Sequence, residues 1–373
     1  MTIDKYNWQQ PDWPHFKYDL TSLYEILFSI AEKIGQLSGK ISHLSEHLKT
    51  EALIDLMVEE AIKTSKIEGE HIQDADVRSS IRNALGLNQK PASVQDRRAQ
   101  GIAELLLNTR KTFKQSLTEN RLLNWHLLLM SGSFNPNLKI GYWRIDPEPM
   151  QIVSGYHGKW QVHYEAPPAK QVPKEMRQFI HWFNQTAPGK PFEIKFGPVR
   201  AAIAHLYFES IHPFDDGNGR IGRVIAEKAL SQSFGHPVIL SLSHTIDAKK
   251  KAYYDALKMA SRSNEITAWI AYFLQVILSA QTAVETQINF ILKKSLFFQA
   301  YENKLNERQM KVIKRMMQAG IKGYEGGMSA KKYMSITGIS KATATRDLQH
   351  LLEINALRQC DGCGRNIRYE LNV

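Results

Sequence analysis

The stretch "HPFDDGNGRIGR", His212 to Arg223, decides how the rest of the chain is read. Within it Gly217, Gly219 and Gly222 have the G-x-G-x-x-G spacing of a dinucleotide-binding turn. Such a turn follows a strand and is answered by an acid about twenty residues later. The segment before it, "VRAAIAHLYFESI", instead sets Val199, Ile203, Leu206 and Tyr207 on one helical face. The later window, "GHPVILSLS", carries no acid. A Rossmann turn does not fit.

The residue types suit another phosphate cradle. Glycines let several backbone N–H groups converge, and a helix N-terminus just beyond them favours an anion. Arg220 and Arg223, three apart, share one side of that helix, and guanidinium forks match phosphate oxygens. Asp216 at the lip is a carboxylate suited to Mg²⁺ between phosphates. His212, at the end of the preceding helix, can take a proton from a hydroxyl. Any one of these residues alone would be read as a cap, a turn or a surface charge; together they describe a site for a nucleoside triphosphate.

The stretch resembles the signature of the Fic family, H-x-F-x-[D/E]-G-N-G-R-x-x-R, at every specified position. The similarity extends over roughly residues 95 to 285, including "YYDAL" from Tyr253 to Leu257. The resemblance implies a mainly α fold: a helical core with a small β-hairpin flap. It implies transfer of AMP from ATP to a Ser, Thr or Tyr hydroxyl of a target protein. His212 would then be the catalytic base, Phe214 the loop's anchor, and Asp216 the Mg²⁺ ligand. Gly217, Asn218, Gly219, Arg220, Ile221, Gly222 and Arg223 would form the ATP-binding stretch, with Arg223 on the γ-phosphate. Ile152, Val153, Ser154, Gly155 and Tyr156 would be the flap that pairs with the target peptide. Tyr253 and Tyr254 would lie near the adenine, or else simply pack a helix.

"TSKIEG" resembles the inhibitory motif [S/T]-x-x-x-E-[G/N] of one Fic subgroup, matching at Thr64, Glu68 and Gly69. The implied brake is competition: Glu68 would pair with Arg223 in the γ-phosphate's place. The resemblance also implies an alternative role, in which the same glutamate helps water remove AMP.

Around this centre, periodicity predicts helices over 20–48, 50–67, 95–114, 119–130, 174–184, 197–211, 220–234, 249–262 and 265–298. The segment holding Trp8, Trp13 and Phe16 reads as an irregular aromatic arm, and Gly86 to Val94 as a connector. Alternation and turn residues between Gly141 and Ala169 predict a hairpin with its tip at Gly155 to Gly158. Three domains are expected: 1–94 with the arm and inhibitory helix, 95–298 as the core, and 299–373 as a separate module.

That last module has 13 Lys/Arg against 7 Asp/Glu over residues 301–373, a large part of the chain's net charge of +11. Helices over 305–319, 329–336 and 341–355, then a hairpin with its tip at Asp361 to Gly364, resemble a winged helix. Its third helix opens "SKATATRDL", which suits a DNA major groove or, alternatively, a protein-contact or dimer surface.

Composition adds bounds. The 373 residues are 43% hydrophobic and 23% charged, ordinary for a globular chain. Cys360 and Cys363 make one C-x-x-C, too few ligands for zinc and no disulfide framework, which fits a reducing cytoplasm. No apolar signal segment is expected at the N-terminus, and the run Ala268 to Ala280 reads as a core helix too short for a bilayer. A homodimer is compatible with the sequence. The rival readings are a DNA-binding regulator that only senses nucleotide, and phosphoryl transfer on the same fold. The latter branch carries lysine where Gly219 stands.

Overall fold

The computed structural model describes residues 6–156, 159–238, 240–360 and 367–372. Among these it is mainly helical, with fourteen α-helices and two antiparallel hairpins. The chain divides into two compact units. The first comprises the described residues up to Gly39 with Leu53–Val284; the second comprises Lys40–Ala52 with the chain from Glu285 onward.

In the first unit the central pair is α7 (Gly197–Ile211) and α8 (Asn218–Phe234). Every residue of α7 is buried. The sequence showed one apolar face, but Ala201, Ala202 and Ala204 on the others let neighbours close in all round. Around this pair lie α1 (Tyr24–Ser42), α2 (Glu46–Ile67), α3 (Asp74–Ala84), α4 (Arg97–Lys111), α5 (Glu119–Met130) and α6 (Val172–Gln185). Then come α9 (Leu242–Ala248), α10 (Lys250–Ala260) and α11 (Thr267–Tyr301). Helix starts follow local chemistry: Asp96 accepts from Arg98 N before α4, and Thr118 from Arg121 N before α5.

The expected helix over 20–48 breaks, because Ser45 accepts the Leu48 amide at 3.4 Å and starts a new helix at Glu46. The short helices α3 and α9 had no sequence forecast. The run Ala268 to Ala280 lies within a continuous helix, so the expectation of a segment too short for a bilayer does not hold. Residues Thr267–Lys304 are long and apolar enough to cross a membrane by length and composition alone. Half of that apolar window is buried in the protein, where Ile270, Phe273, Leu274 and Ile277 join the core.

The aromatic arm packs as expected. Trp13 and Phe16 meet Tyr207 edge-on, with ring centres 5.1 and 5.6 Å away. Trp8 Nε1 donates to Glu165 O, and Asn7 Nδ2 to Ser210 Oγ, each at 2.8 Å. The arm thus ties the end of one hairpin strand to the end of α7. That hairpin is β1 (Gln151–Tyr156) with β2 (Lys159–Glu165), and its register shifts between Ile152 and Val153. The expected tip residues His157 and Gly158 lie outside the described residues.

The second unit holds α12 (Glu307–Met317), α13 (Ala330–Thr337), α14 (Lys341–Glu353), and a hairpin of β3 (Leu357–Gln359) with β4 (Tyr369–Leu371). Val312, Ile313, Tyr333, Leu348 and Leu351 form its core. Met328, between α12 and α13, bridges to Tyr369 and gives the hairpin a third extended partner. Cys360 is half-buried; Cys363 and the hairpin tip at 361–364 lie outside the described residues.

Candidate active site

The loop between α7 and α8 is held by side chains from four directions. His212 ends α7 in the left-handed region, φ 50° and ψ 60°, a conformation that costs a non-glycine residue about 1–2 kcal/mol. Arg144 holds it there. Its Nε donates to His212 O at 2.8 Å, its Nη2 to Pro167 O and Ile211 O, and its amide to Pro213 O. Phe214 is fully buried and stacks on His126, ring centres 4.1 Å apart. Gly141 N donates to His126 Nδ1 at 2.9 Å. Nδ1 is therefore an acceptor, and the proton on Nε2 points to Asp216 O at 3.2 Å. Burial pushes His126 down to about 4, which keeps this neutral tautomer. Asn218 closes the loop on itself: Oδ1 accepts from Phe214 N, and Nδ2 donates to Phe214 O.

Helix α8 begins two residues earlier than periodicity suggested. Gly217, at φ 81°, is its cap and supplies no side chain to the first amides. Asn218 and Gly219 thus belong to the first helical turn, whose free N–H groups favour an anion.

His212 is neutral. Burial lowers its pKa to about 4, with Arg144 adding to the effect and the Glu209 carbonyl, Glu68 and Asp216 opposing it. Nδ1 lies 3.4 Å from Glu209 O, a carbonyl that can only accept. Nδ1 therefore carries the hydrogen, and Nε2 keeps the lone pair a base needs. Burial raises Glu209 itself to about 8.

Two acids from the end of α2 cover the two arginines. Arg223 Nη2 donates to Glu68 Oε1 at 2.7 Å, and its Nε to Thr64 Oγ1 at 2.8 Å. Arg220 Nη1 donates to Glu70 Oε2, also at 2.7 Å. Burial pushes Glu68 up, but Arg223 more than offsets this and the carboxyl sits below its usual range. Burial works against the Arg223 charge, yet Glu68 leaves its pKa raised. Gly69, at φ 83°, turns the chain after α2. Thr64 and Glu68 therefore both bond Arg223, and Gly69 follows them in the turn.

Other expected site residues divide by the direction they face. Ile221 is wholly buried, and a Cβ on Gly222 would stand 2.4 Å from Glu209 Oε1, so both serve the packing of α8 on α7. Asn218 spends its side chain on the loop. Tyr253 is 2% exposed and its hydroxyl meets His205 Nε2 at 2.8 Å, whereas Tyr254 is 36% exposed. Only Tyr254 lines the neighbouring cavity of about 630 Å³, with Ile152, Glu209, Lys250 and Leu257. Of the expected flap, the backbone of Val153, Ser154, Gly155 and Tyr156 lies in β1 with Ile152, but their side chains lie outside the described residues. Asp216 is more than half exposed; its Oδ1 accepts from Gly217 N and lies 3.4 Å from Arg220 Nη2. Among the described residues no cluster of three or more His, Cys, Asp or Glu could hold a metal.

Sequence reading missed Glu70, His126, Arg144 and Glu209. Glu70 had a signal, an acid two residues past Glu68. The other three had none in the local pattern.

Residues 116–230 match the model of the Fic/DOC family, and residues 6–87 match a domain of unknown function, DUF4172. A protein adenylyltransferase Fic of Aedes aegypti is 34% identical over 90 residues, 24% of this chain and 16% of that relative. The chain thus spans about a sixth of such a relative's length. A crystal structure of a Fic family protein from Desulfovibrio desulfuricans G20 superposes with a TM-score of 0.53 at 23% identity, covering 94% of this chain and 96% of that one. Fic-1 of C. elegans, residues 134–508, gives 0.50 at 19% identity over 73% of each chain. A Fido domain-containing protein of Dictyostelium discoideum is 32% identical over 114 residues, 30% of this chain and 73% of that protein. With its motif folded as described and most of a whole relative matched, this chain belongs to the Fic/Fido family.

Proposed function

We propose that this chain transfers AMP from ATP to a hydroxyl of a target protein and is held back by Glu68. The observation that carries the proposal is the Glu68–Arg223 pair, 2.7 Å long, set over Gly219 beside a neutral His212. A carboxylate occupies a site of the shape and charge that a terminal phosphate would take. With ATP seated, His212 Nε2 accepts the proton of the target hydroxyl. The hydroxyl oxygen attacks the α-phosphorus, the bond to the bridging oxygen breaks, and pyrophosphate leaves. Arg220, Arg223 and the α8 amides stabilise the charge that develops on the leaving group. Such base catalysis is typically worth about 10²–10⁴-fold.

Asp216 fits Mg²⁺ by donor type: an exposed, hard oxygen ligand beside the phosphate cradle, with phosphates and water completing the shell. The ion would neutralise charge on the phosphates when bound. The test is incubation with ATP and Mg²⁺ followed by intact mass. Glu68→Gly should gain one AMP per modified hydroxyl, and Glu68→Gly/His212→Ala should not. A gain of phosphate alone would replace this proposal with phosphoryl transfer.

A second partner is proposed for the second unit, duplex DNA. Three helices, a hairpin and the Met328–Tyr369 bridge follow the order of a winged helix. From Lys341 to Gln349 the exposed residues of α14, namely Lys341, Ala342, Thr345, Arg346 and Gln349, are small, polar or basic; its one exposed acid, Glu353, is the last residue of the helix.

A further inference from the structure

We propose that Glu70 is a second gate on this site, controlling Arg220 as Glu68 controls Arg223, and so answering to a different phosphate. This rests on the triphosphate site proposed above.

Arg220 is 3% exposed, so its guanidinium cannot leave for water. Its shortest polar contact is Nη1 to Glu70 Oε2 at 2.7 Å. Nη2 has weaker contacts, Asp216 Oδ1 at 3.4 Å and Met130 Sδ at 3.7 Å. Nε has no partner. The strong, charge-assisted bond of this fork is therefore spent on Glu70, and a phosphate that needs the fork must displace it.

The backbone explains how one helix end delivers two acids. Gly69 takes a left-handed turn, and Glu70 N folds back to Ser65 O at 2.9 Å. Glu68 and Glu70 then land on arginines three apart on α8. The Glu70 side chain is 24% exposed, so the carboxylate can move into water while Arg220 stays.

Arg223 is the arm for the terminal phosphate and Arg220 the arm for the inner ones. A diphosphate then meets only the Glu70 gate, whereas a triphosphate meets both. The experiment is calorimetric titration of ADP and of ATP, each with Mg²⁺, into wild type, Glu70→Gln and Glu68→Gly. Glu70→Gln should tighten ADP by about tenfold, equivalent to about 1.4 kcal/mol. Glu68→Gly should tighten ATP more than ADP. Should Glu70→Gln melt below the assay temperature, Glu70→Asp, one methylene short of Arg220, carries the same test with a smaller gain. ADP affinity unchanged within about twofold in the Glu70 variants, while Glu68→Gly tightens ATP, overturns the second gate and leaves the site standing. No binding of either nucleotide by any variant removes the site and the gate together.

Discussion

Glu68 Oε1 lies 2.7 Å from Arg223 Nη2 and 2.3 Å from where a Cβ on residue 219 would stand. One carboxylate thus takes one arm of the guanidinium fork and rests against the start of α8. It sets negative charge against the arginine and the helix dipole together, the two features a phosphate would otherwise use.

That double service predicts a trade of stability for activity. Glu68→Gly leaves Arg223 buried without its counter-charge. Because Glu68 is 24% exposed, the loss should be about 1–2 kcal/mol, below that of breaking a fully buried pair. Thermal unfolding should show a lower melting temperature for the variant, recovered by ATP and Mg²⁺ through binding linkage. A variant as stable as wild type without nucleotide would mean that the pair contributes nothing to the resting state.

Gly219 should be coupled to Glu68 energetically. Alanine in a helix is normally about 1 kcal/mol better than glycine. Here its Cβ would collide with Glu68 Oε1 at 2.3 Å and crowd Arg223 Nη1 at 3.1 Å. Gly219→Ala should therefore destabilise wild type but be neutral or stabilising in the Glu68→Gly background. A double-mutant cycle in urea should give a coupling of at least about 1 kcal/mol. Additive effects would show that the carboxylate does not rest there.

The His212 environment predicts an unusual pH–rate profile. Burial lowers its pKa to about 4, below the model-peptide histidine value of about 6.5. The base is the neutral form, so it is fully available above about pH 5 and is lost as pH falls through about 4. Initial rates of Glu68→Gly should be nearly level from about pH 6 to 8 and fall on the acid side. A rise centred near about 6.5 would mean that this imidazole is solvated as the reaction proceeds.

His126 should matter although it never meets the ligand. It accepts from Gly141 N, approaches Asp216 O, and stacks on Phe214. His126→Phe keeps the ring and removes both polar contacts, leaving the half-buried Gly141 amide unpaired. The expected loss is about 1–3 kcal/mol of stability, read by urea denaturation. The transfer rate should fall with it, because the backbone of Asp216 is no longer tethered.

Much of the centre was legible because it is local. From His212 to Arg223 the residues that bend, charge and cap the loop adjoin one another in the chain. Glu68 was legible through its own short motif. What stayed hidden depends on long-range packing. Arg144 reaches His212 across 68 residues, His126 reaches Asp216 across 90, and Glu70 reaches Arg220 across 150. No periodicity encodes such pairings. Tyr253 and Tyr254 show the other limit: consecutive helical residues face different sides, and only packing tells which of them meets the core. Asn218 followed the same rule, since an asparagine in a glycine-rich loop looks like a ligand contact until its amide closes a ring with Phe214.

The second unit carries the last prediction. Its charge excess could be a solvated surface, but the acids and bases are not spread evenly. Asp347 is 6% exposed and turned inward, bonded by Arg308 Nε at 3.1 Å and the Tyr333 hydroxyl at 3.0 Å. That leaves the outer face of α14, from Lys341 to Gln349, without a carboxylate. Ser340 caps the helix by accepting from Thr343 N, which fixes the end that would enter a groove. If this face reads phosphates, Lys341→Ala/Arg346→Ala should weaken binding to duplex DNA by about tenfold or more. It should also lower the slope of log affinity against log salt by about 2, one per lost phosphate contact. Fluorescence anisotropy with a labelled duplex over a salt series measures both quantities. Wild-type protein without salt-dependent affinity for any duplex would assign the basic face to a protein partner instead.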